Sequence, residues 1–115
     1  MYKNLAAALA AACLFSPAFS QSTVPVKAAF VYVAPLTEAG WVRQHDQGRQ
    51  AVEAALPGQV KPTYVENLAE GPDAERVIRD LAMQGHQIIF TPSFGYMEPT
   101  LKVAREFPRV KFESV

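Results

Sequence analysis

A chain of 115 residues that is 50% hydrophobic, 10% aromatic and 19% charged has ordinary globular composition and room for one small domain at most. Eleven basic residues balance eleven acidic ones with no basic block, so nothing points to a nucleic-acid partner. Cys13 is the single cysteine, which excludes an internal disulfide.

Met1–Ser20 reads as a signal peptide and stands apart from the fold. Lys3 supplies the positive start, Leu5 to Phe15 is apolar and alanine-rich, and that run is too short to span a bilayer. Ala18-Phe19-Ser20 places small residues where a signal peptidase reads, which predicts cleavage after Ser20 and export to the periplasm. Two alternatives stay open: a plain hydrophobic N-terminal helix, and a lipid anchor on Cys13, because Leu9–Cys13 loosely resembles a lipobox.

Residues 21–26 form an extended leader, and residues 27–115 form the folded part. Lys27–Ala34 is nearly all apolar and β-branched or aromatic, as in a central strand covered on both faces. Trp41–Leu56 is a helix whose expected buried face runs through Trp41, Gly48, Val52, Ala55 and Leu56, stopped by Pro57-Gly58. Val60–Asn67 is a second strand, placed at a sheet edge by Pro62. Gly71-Pro72-Asp73 opens a second helix with an apolar stripe at Ala74, Val77, Ile78, Leu81 and Ala82, an ion pair of Glu75 with Arg79, and Gly85 at its end.

Ile88-Ile89-Phe90 is a third, doubly buried strand, and Thr91-Pro92 stops it. Ser93-Phe94-Gly95-Tyr96 is a small aromatic loop, Pro99–Phe107 a third helix, and Arg109–Val115 a fourth strand. The order βαβαβαβ predicts an α/β fold, a three-layer parallel sheet with right-handed crossovers. A strand ending the sequence, with no helix after it to cover the sheet, reads as the N-terminal part of a longer protein or a truncated product; a small domain with an edge strand is the alternative.

Catalytic patterns are missing. Ser93 lies in Pro-Ser-Phe-Gly and not in a nucleophile elbow. His45 and His86 lack metal-ligand spacing, and His86 beside Gly85 is expected to be a surface cap of the second helix. No glycine-rich phosphate cradle occurs, so no cofactor and no enzyme activity are expected. An α/β enzyme fragment would need such a nucleophile or cofactor loop.

The carboxyl ends of the strands carry aromatic residues beside a few polar groups: Trp41 after the first, Glu66 and Asn67 after the second, and Ser93, Phe94, Tyr96 and Glu98 after the third. In open α/β sheets ligands sit at that edge. Flat aromatic walls with few hydrogen-bonding groups suit a planar, polar-edged solute. Each also has a plainer reading, with Trp41, Phe94 and Tyr96 as core and Glu98 as a first-turn acid.

Ala39–Arg49 (Ala-Gly-Trp-Val-Arg-Gln-His-Asp-Gln-Gly-Arg), Tyr64–Arg79 and Phe90–Ala104 (beginning Phe-Thr-Pro-Ser-Phe-Gly-Tyr-Met-Glu-Pro) together resemble the BMP family, the basic membrane (lipo)protein type of ABC-transporter substrate-binding protein. The resemblance covers essentially everything after residue 20. It implies a type I periplasmic-binding-protein fold of two α/β lobes, of which this chain would be an incomplete N-terminal lobe. It also implies a purine base or nucleoside as solute and an ABC permease in the inner membrane as partner. By resemblance Trp41 matches an aromatic placed against the purine, and Glu98 matches an Asp that contacts ligand. Two departures stand out: Tyr32 occupies a position where nucleoside-binding members tend to have Asp, and Val42 one where they have Asn. These tilt the expectation towards a free base such as adenine. The expected ligand-binding set is Trp41, Asn67, Ser93, Phe94, Tyr96 and Glu98, with another small solute such as a sugar, or a non-functional remnant, as the alternatives.

Overall fold

The computed structural model describes residues 24–115, so the expected signal peptide, Cys13 and the first half of the leader lie outside the described residues. Strand β1 (Val26–Val31) is an inner strand of the sheet, and its apolar residues Ala28–Val31 are buried on both faces. The helix α1 (Trp41–Ala55) leads to β2 (Val60–Val65), α2 (Pro72–Met83) to β3 (Ile88–Thr91), and α3 (Met97–Glu106) to β4 (Lys111–Ser114). A 3-10 turn, Phe94–Tyr96, precedes α3. The sheet order is β2-β1-β3-β4, all parallel, with Phe30 in register with Tyr64 on one side and Phe90 on the other.

Right-handed crossovers in this order put α1 on one face and α2 with α3 on the other. The core divides accordingly. Ala29, Val31 and Ile89 pack with Ala74, Ile78, Leu81, Ala82, Tyr96 and Val103. On the opposite face Ala28, Phe30 and Tyr32 pack with Val42, and Phe30 stacks on Phe90 at 4.6 Å between centroids. The apolar stripe expected on α2 is the better-covered surface, and full burial of Ile78 contributes roughly 1.5–3 kcal/mol. Arg79 joins the two helices of that layer, pairing with Glu75 at 2.9 Å and reaching Glu106 at 2.7 Å.

Three expectations need correction. The buried residues of α1 are Val42 and Asp46, while Trp41, Val52 and Leu56 are 55%, 36% and 39% exposed. The reason is the crossover: α1 lies over β1 and β2, and no helix among the described residues covers β3 and β4 on that face. His86 is buried and not a surface cap. Its Nδ1 lies 2.7 Å from the Leu81 carbonyl, which only accepts, so Nδ1 carries the proton; Nε2 lies 3.1 Å from Thr63 Oγ1 on β2. It therefore caps α2 as expected, but from beneath, because the sheet continues past it. Finally α3 begins at Met97, two residues before Pro99, whose missing N–H falls in the first turn where no intrahelical partner exists. Pro62 does lie on an edge strand, and Gly85 ends α2 at φ 88°.

Candidate functional site

The chain leaves β1 towards β2 on one side and leaves β3 towards β4 on the other. Between β1 and β3 the order of connection reverses, and their two following loops part there. This is the switch point at which open α/β sheets leave a crevice beyond the carboxyl ends. Trp41 opens α1 on one side of it, and Pro92 follows β3 on the other. Trp41 Nε1 donates to the Pro92 carbonyl at 2.6 Å. The indole is thus fixed by its polar edge while more than half its surface stays in solvent. His45, one turn along α1, meets the indole edge-on at 4.7 Å, and burial lowers its pKa. Phe94, two residues past Pro92, is 83% exposed, a value that excludes a core role.

The segment after β2 binds both neighbouring loops. Leu36 N–H donates to Glu66 Oε2 at 2.6 Å, and Asn67 N–H to the Ala34 carbonyl at 3.2 Å. Glu70 reaches the other way: its Oε1 accepts from Ser93 Oγ at 2.5 Å and from Gly95 N–H at 2.9 Å. Tyr96 lies wholly buried beneath this segment, its hydroxyl donating to the Leu68 carbonyl. Burial and then the Glu70 charge push that phenol up to about 12, so it stays a donor. Two carboxylates, Glu66 and Glu70, hold the rim together.

Each expected residue has a definite place. Trp41 and Phe94 offer exposed aromatic surface at the rim. Asn67 is exposed at φ 56°, left-handed backbone that asparagine tolerates, at the end of β2. Ser93 sits at the rim with its hydroxyl held by Glu70. Tyr96 is a correction: burial denies its ring to a solute, and it supports the rim from below. Glu98 is exposed and lines a groove between the first turns of α2 and α3 with Gly71, Pro72, Glu75 and Lys102.

Behind the rim, Asp46 is fully buried and accepts from Tyr32 Oη at 3.1 Å, Arg49 Nε at 2.6 Å and Gln50 Nε2 at 2.6 Å. Burial alone pushes the Asp46 carboxyl up, but hydrogen bonds from Arg49 and Gln50 outweigh it and hold the group below its ordinary value. Burial, then Asp46, raises the Tyr32 phenol. The Arg49 guanidinium also lies 4.7 Å over the Tyr64 ring. Tyr32 and Val42, the two departures from the nucleoside-binding pattern, are both buried in the layer between α1 and the sheet.

Reading the sequence missed Glu70 and Asp46. Glu70 left one signal: Gly95 has no positive φ, so its backbone does not require glycine. A Cβ there would lie 2.0 Å from the Glu70 carboxyl carbon; the glycine makes room for that carboxylate. Among the described residues no group of acidic, histidine or cysteine side chains could hold a metal ion, and no helix is long and apolar enough to cross a membrane.

Residues 25–115 match the Bmp family, described as ABC transporter substrate-binding protein PnrA-like. Over 88 residues the chain is 52% identical to a purine-binding protein of Brucella abortus, the match covering 76% of this chain and 25% of that protein. A protein of Haloferax volcanii provisionally named an ABC transporter glucose-binding protein is 38% identical over 88 residues, covering 76% and 22%. An ABC-transporter solute-binding protein from Conexibacter woesei superposes with a TM-score of 0.69 at 26% identity, over 76% of this chain and 28% of its own. The chain spans about a quarter of the length of these relatives.

Proposed function

The chain belongs to the PnrA-like (Bmp) family of ABC-transporter substrate-binding proteins, and from that premise we propose that it serves as the N-terminal half-cleft of a periplasmic purine receptor. Such a receptor takes its solute between two lobes, delivers it to an inner-membrane permease and catalyses nothing. Residues 1–20 direct export in this reading, and residues 27–115 form part of the first lobe.

One observation carries the proposal: a half-exposed indole, pinned at the switch point by a bond to Pro92. A ring whose only polar atom is already satisfied presents a fixed apolar face, and a purine stacks on such a face with little ordering cost. Trp41 stacks on the base, Phe94 supplies a second face, and Asn67 and Glu98 offer polar groups to the ring edge. Ser93 shapes the rim through its bond to Glu70. The purine-binding name of the Brucella relative supports the solute class. Burial of Tyr32 and Val42 supports a free base over a nucleoside, since neither position offers a polar group to a ribose. A sugar is the second reading, on the glucose-binding name of the Haloferax relative.

Trp41 is the only tryptophan, so its fluorescence reports this one place. Exciting it at the red edge of its absorption during titration separates the readings. Adenine is expected to quench it saturably with a dissociation constant on the order of millimolar, because a single lobe lacks the opposing wall. Glucose is expected to leave it unchanged. Saturable quenching by glucose and not by adenine would select the sugar; no saturable response to adenine would refute the purine proposal.

A further inference from the structure

Trp41 and His45 stand one turn apart on α1, and side chains four residues apart share a face of a helix. Every Cα–Cβ bond of a helix tilts towards its N-terminus. The His45 ring is therefore carried up against the indole, while the indole, in the first turn, projects past the end of α1. The two rings meet with centroids 4.7 Å apart and planes inclined by 62°, the edge-to-face arrangement that aromatic pairs prefer. His45 is half-buried, and Phe30, Ile88 and Phe90 of β1 and β3 line the same groove. Burial restricts the imidazole more than the exposed indole it touches.

A hydrogen bond at one atom does not by itself orient a ring. The indole is attached to the chain at Cβ and to the Pro92 carbonyl at Nε1. Two points leave it free to rock about the line through them, which would turn its face towards and away from a solute. Both ends of that line are taken, so a ring 4.7 Å from the indole centroid bears on it from the side and stops the rocking. Among the described residues His45 is the one aromatic partner of the indole. None of these contacts involves β4.

We propose that His45 is a positioning residue for the stacking indole: it fixes the plane of Trp41, and thereby the orientation in which a flat heteroaromatic solute is held at the switch point. This rests on the reading of Trp41 as the stacking surface. His45 acts through Trp41 and need not touch the solute. It removes a motion before binding, so less ordering remains when the solute stacks. Shape does this: the histidine hydrogen bonds among the described residues belong to His86, and His45 acts as a flat ring.

The test is time-resolved fluorescence anisotropy of Trp41, the single tryptophan, in the purified chain without solute. The native indole is expected to follow the tumbling of the whole molecule. H45A and H45Q remove the ring, put good helix formers into α1, and are expected to add a fast decay from local side-chain motion. H45F keeps a flat ring and is expected to restore the native decay. Circular dichroism melts identify any variant that has not folded, and with two ring-less variants one failure does not remove the comparison. With adenine, H45A and H45Q are expected to raise the dissociation constant about three- to tenfold, and H45F to leave it within about twofold. A fast component in the native chain, its absence from both ring-less variants, or an H45F as loose as H45A overturns the proposal. So does an adenine constant that ignores a loosened indole. The purine reading fails separately: a rigid native indole, loosened by H45A and unresponsive to adenine, upholds the fixed plane and refutes the purine.

Discussion

A 2.6 Å hydrogen bond from Trp41 Nε1 to the carbonyl of Pro92 joins the loops on either side of the switch point. Neither residue is held by sequence neighbours in this respect: the bond closes 51 residues of chain. Trp41→Phe keeps an aromatic face and removes the donor. The expected cost is about 1 kcal/mol, a fall of roughly 4–8 °C in melting temperature for a domain of this size, measured by circular dichroism. Hydrogen exchange should also speed up at Ser93–Tyr96, where the loop loses its tether. An unchanged loop would mean that Glu70 alone holds it.

Asp46 fixes α1 to the sheet through Tyr32 and is paired with Arg49. Asp46→Ala is expected to destabilise the fold by about 3 kcal/mol, because a largely buried guanidinium and a buried phenol lose their acceptor together. The pH dependence follows from the direction of the shift. The folded carboxyl lies below its ordinary value, so its stabilisation is complete above the unfolded value and disappears as pH falls through the folded one. Urea midpoints measured from about pH 6 down to about pH 2 should therefore decline, and Asp46→Asn should decline less steeply.

Gly95 and Glu70 are coupled by space. Gly95→Ala must expel the Glu70 carboxylate, and both bonds to it are lost. The displaced group is the far end of an exposed side chain, so the cost is that of the two bonds, about 1–3 kcal/mol. Once Glu70→Ala has removed the carboxylate, the same glycine substitution should cost almost nothing. A double-mutant cycle by chemical denaturation checks this; strict additivity would show that the two positions do not interact.

Ile78 and Val52 test the division of the core. Ile78→Ala, in the layer under α2, is expected to cost about 2–5 kcal/mol. Val52→Ala, on the open side of α1, should cost within about 0.5 kcal/mol. Equal losses would mean that the α1 face is as well covered as the other.

The order of elements, the parallel sheet, the edge position of β2 and the stripe on α2 were all legible in the residues taken in order. Those features follow from periodicity, from proline and from short connections, all local in the chain. The sequence also put Trp41 and the Ser93–Tyr96 loop at the carboxyl ends, because strand ends can be read from where apolar runs stop. Tertiary structure alone decided which rings face water. Phe94 and Tyr96 are two residues apart in one aromatic loop, yet one is almost bare and the other wholly buried. Tyr96 packs in the core with residues of α2 and α3, and the Leu68 carbonyl, 28 residues away, accepts its hydroxyl there. His86 and Asp46 are the same lesson in polar form: each is buried because partners on other elements satisfy it. Partners distant in sequence leave no periodic trace, and the energy of burying a polar group depends on them entirely.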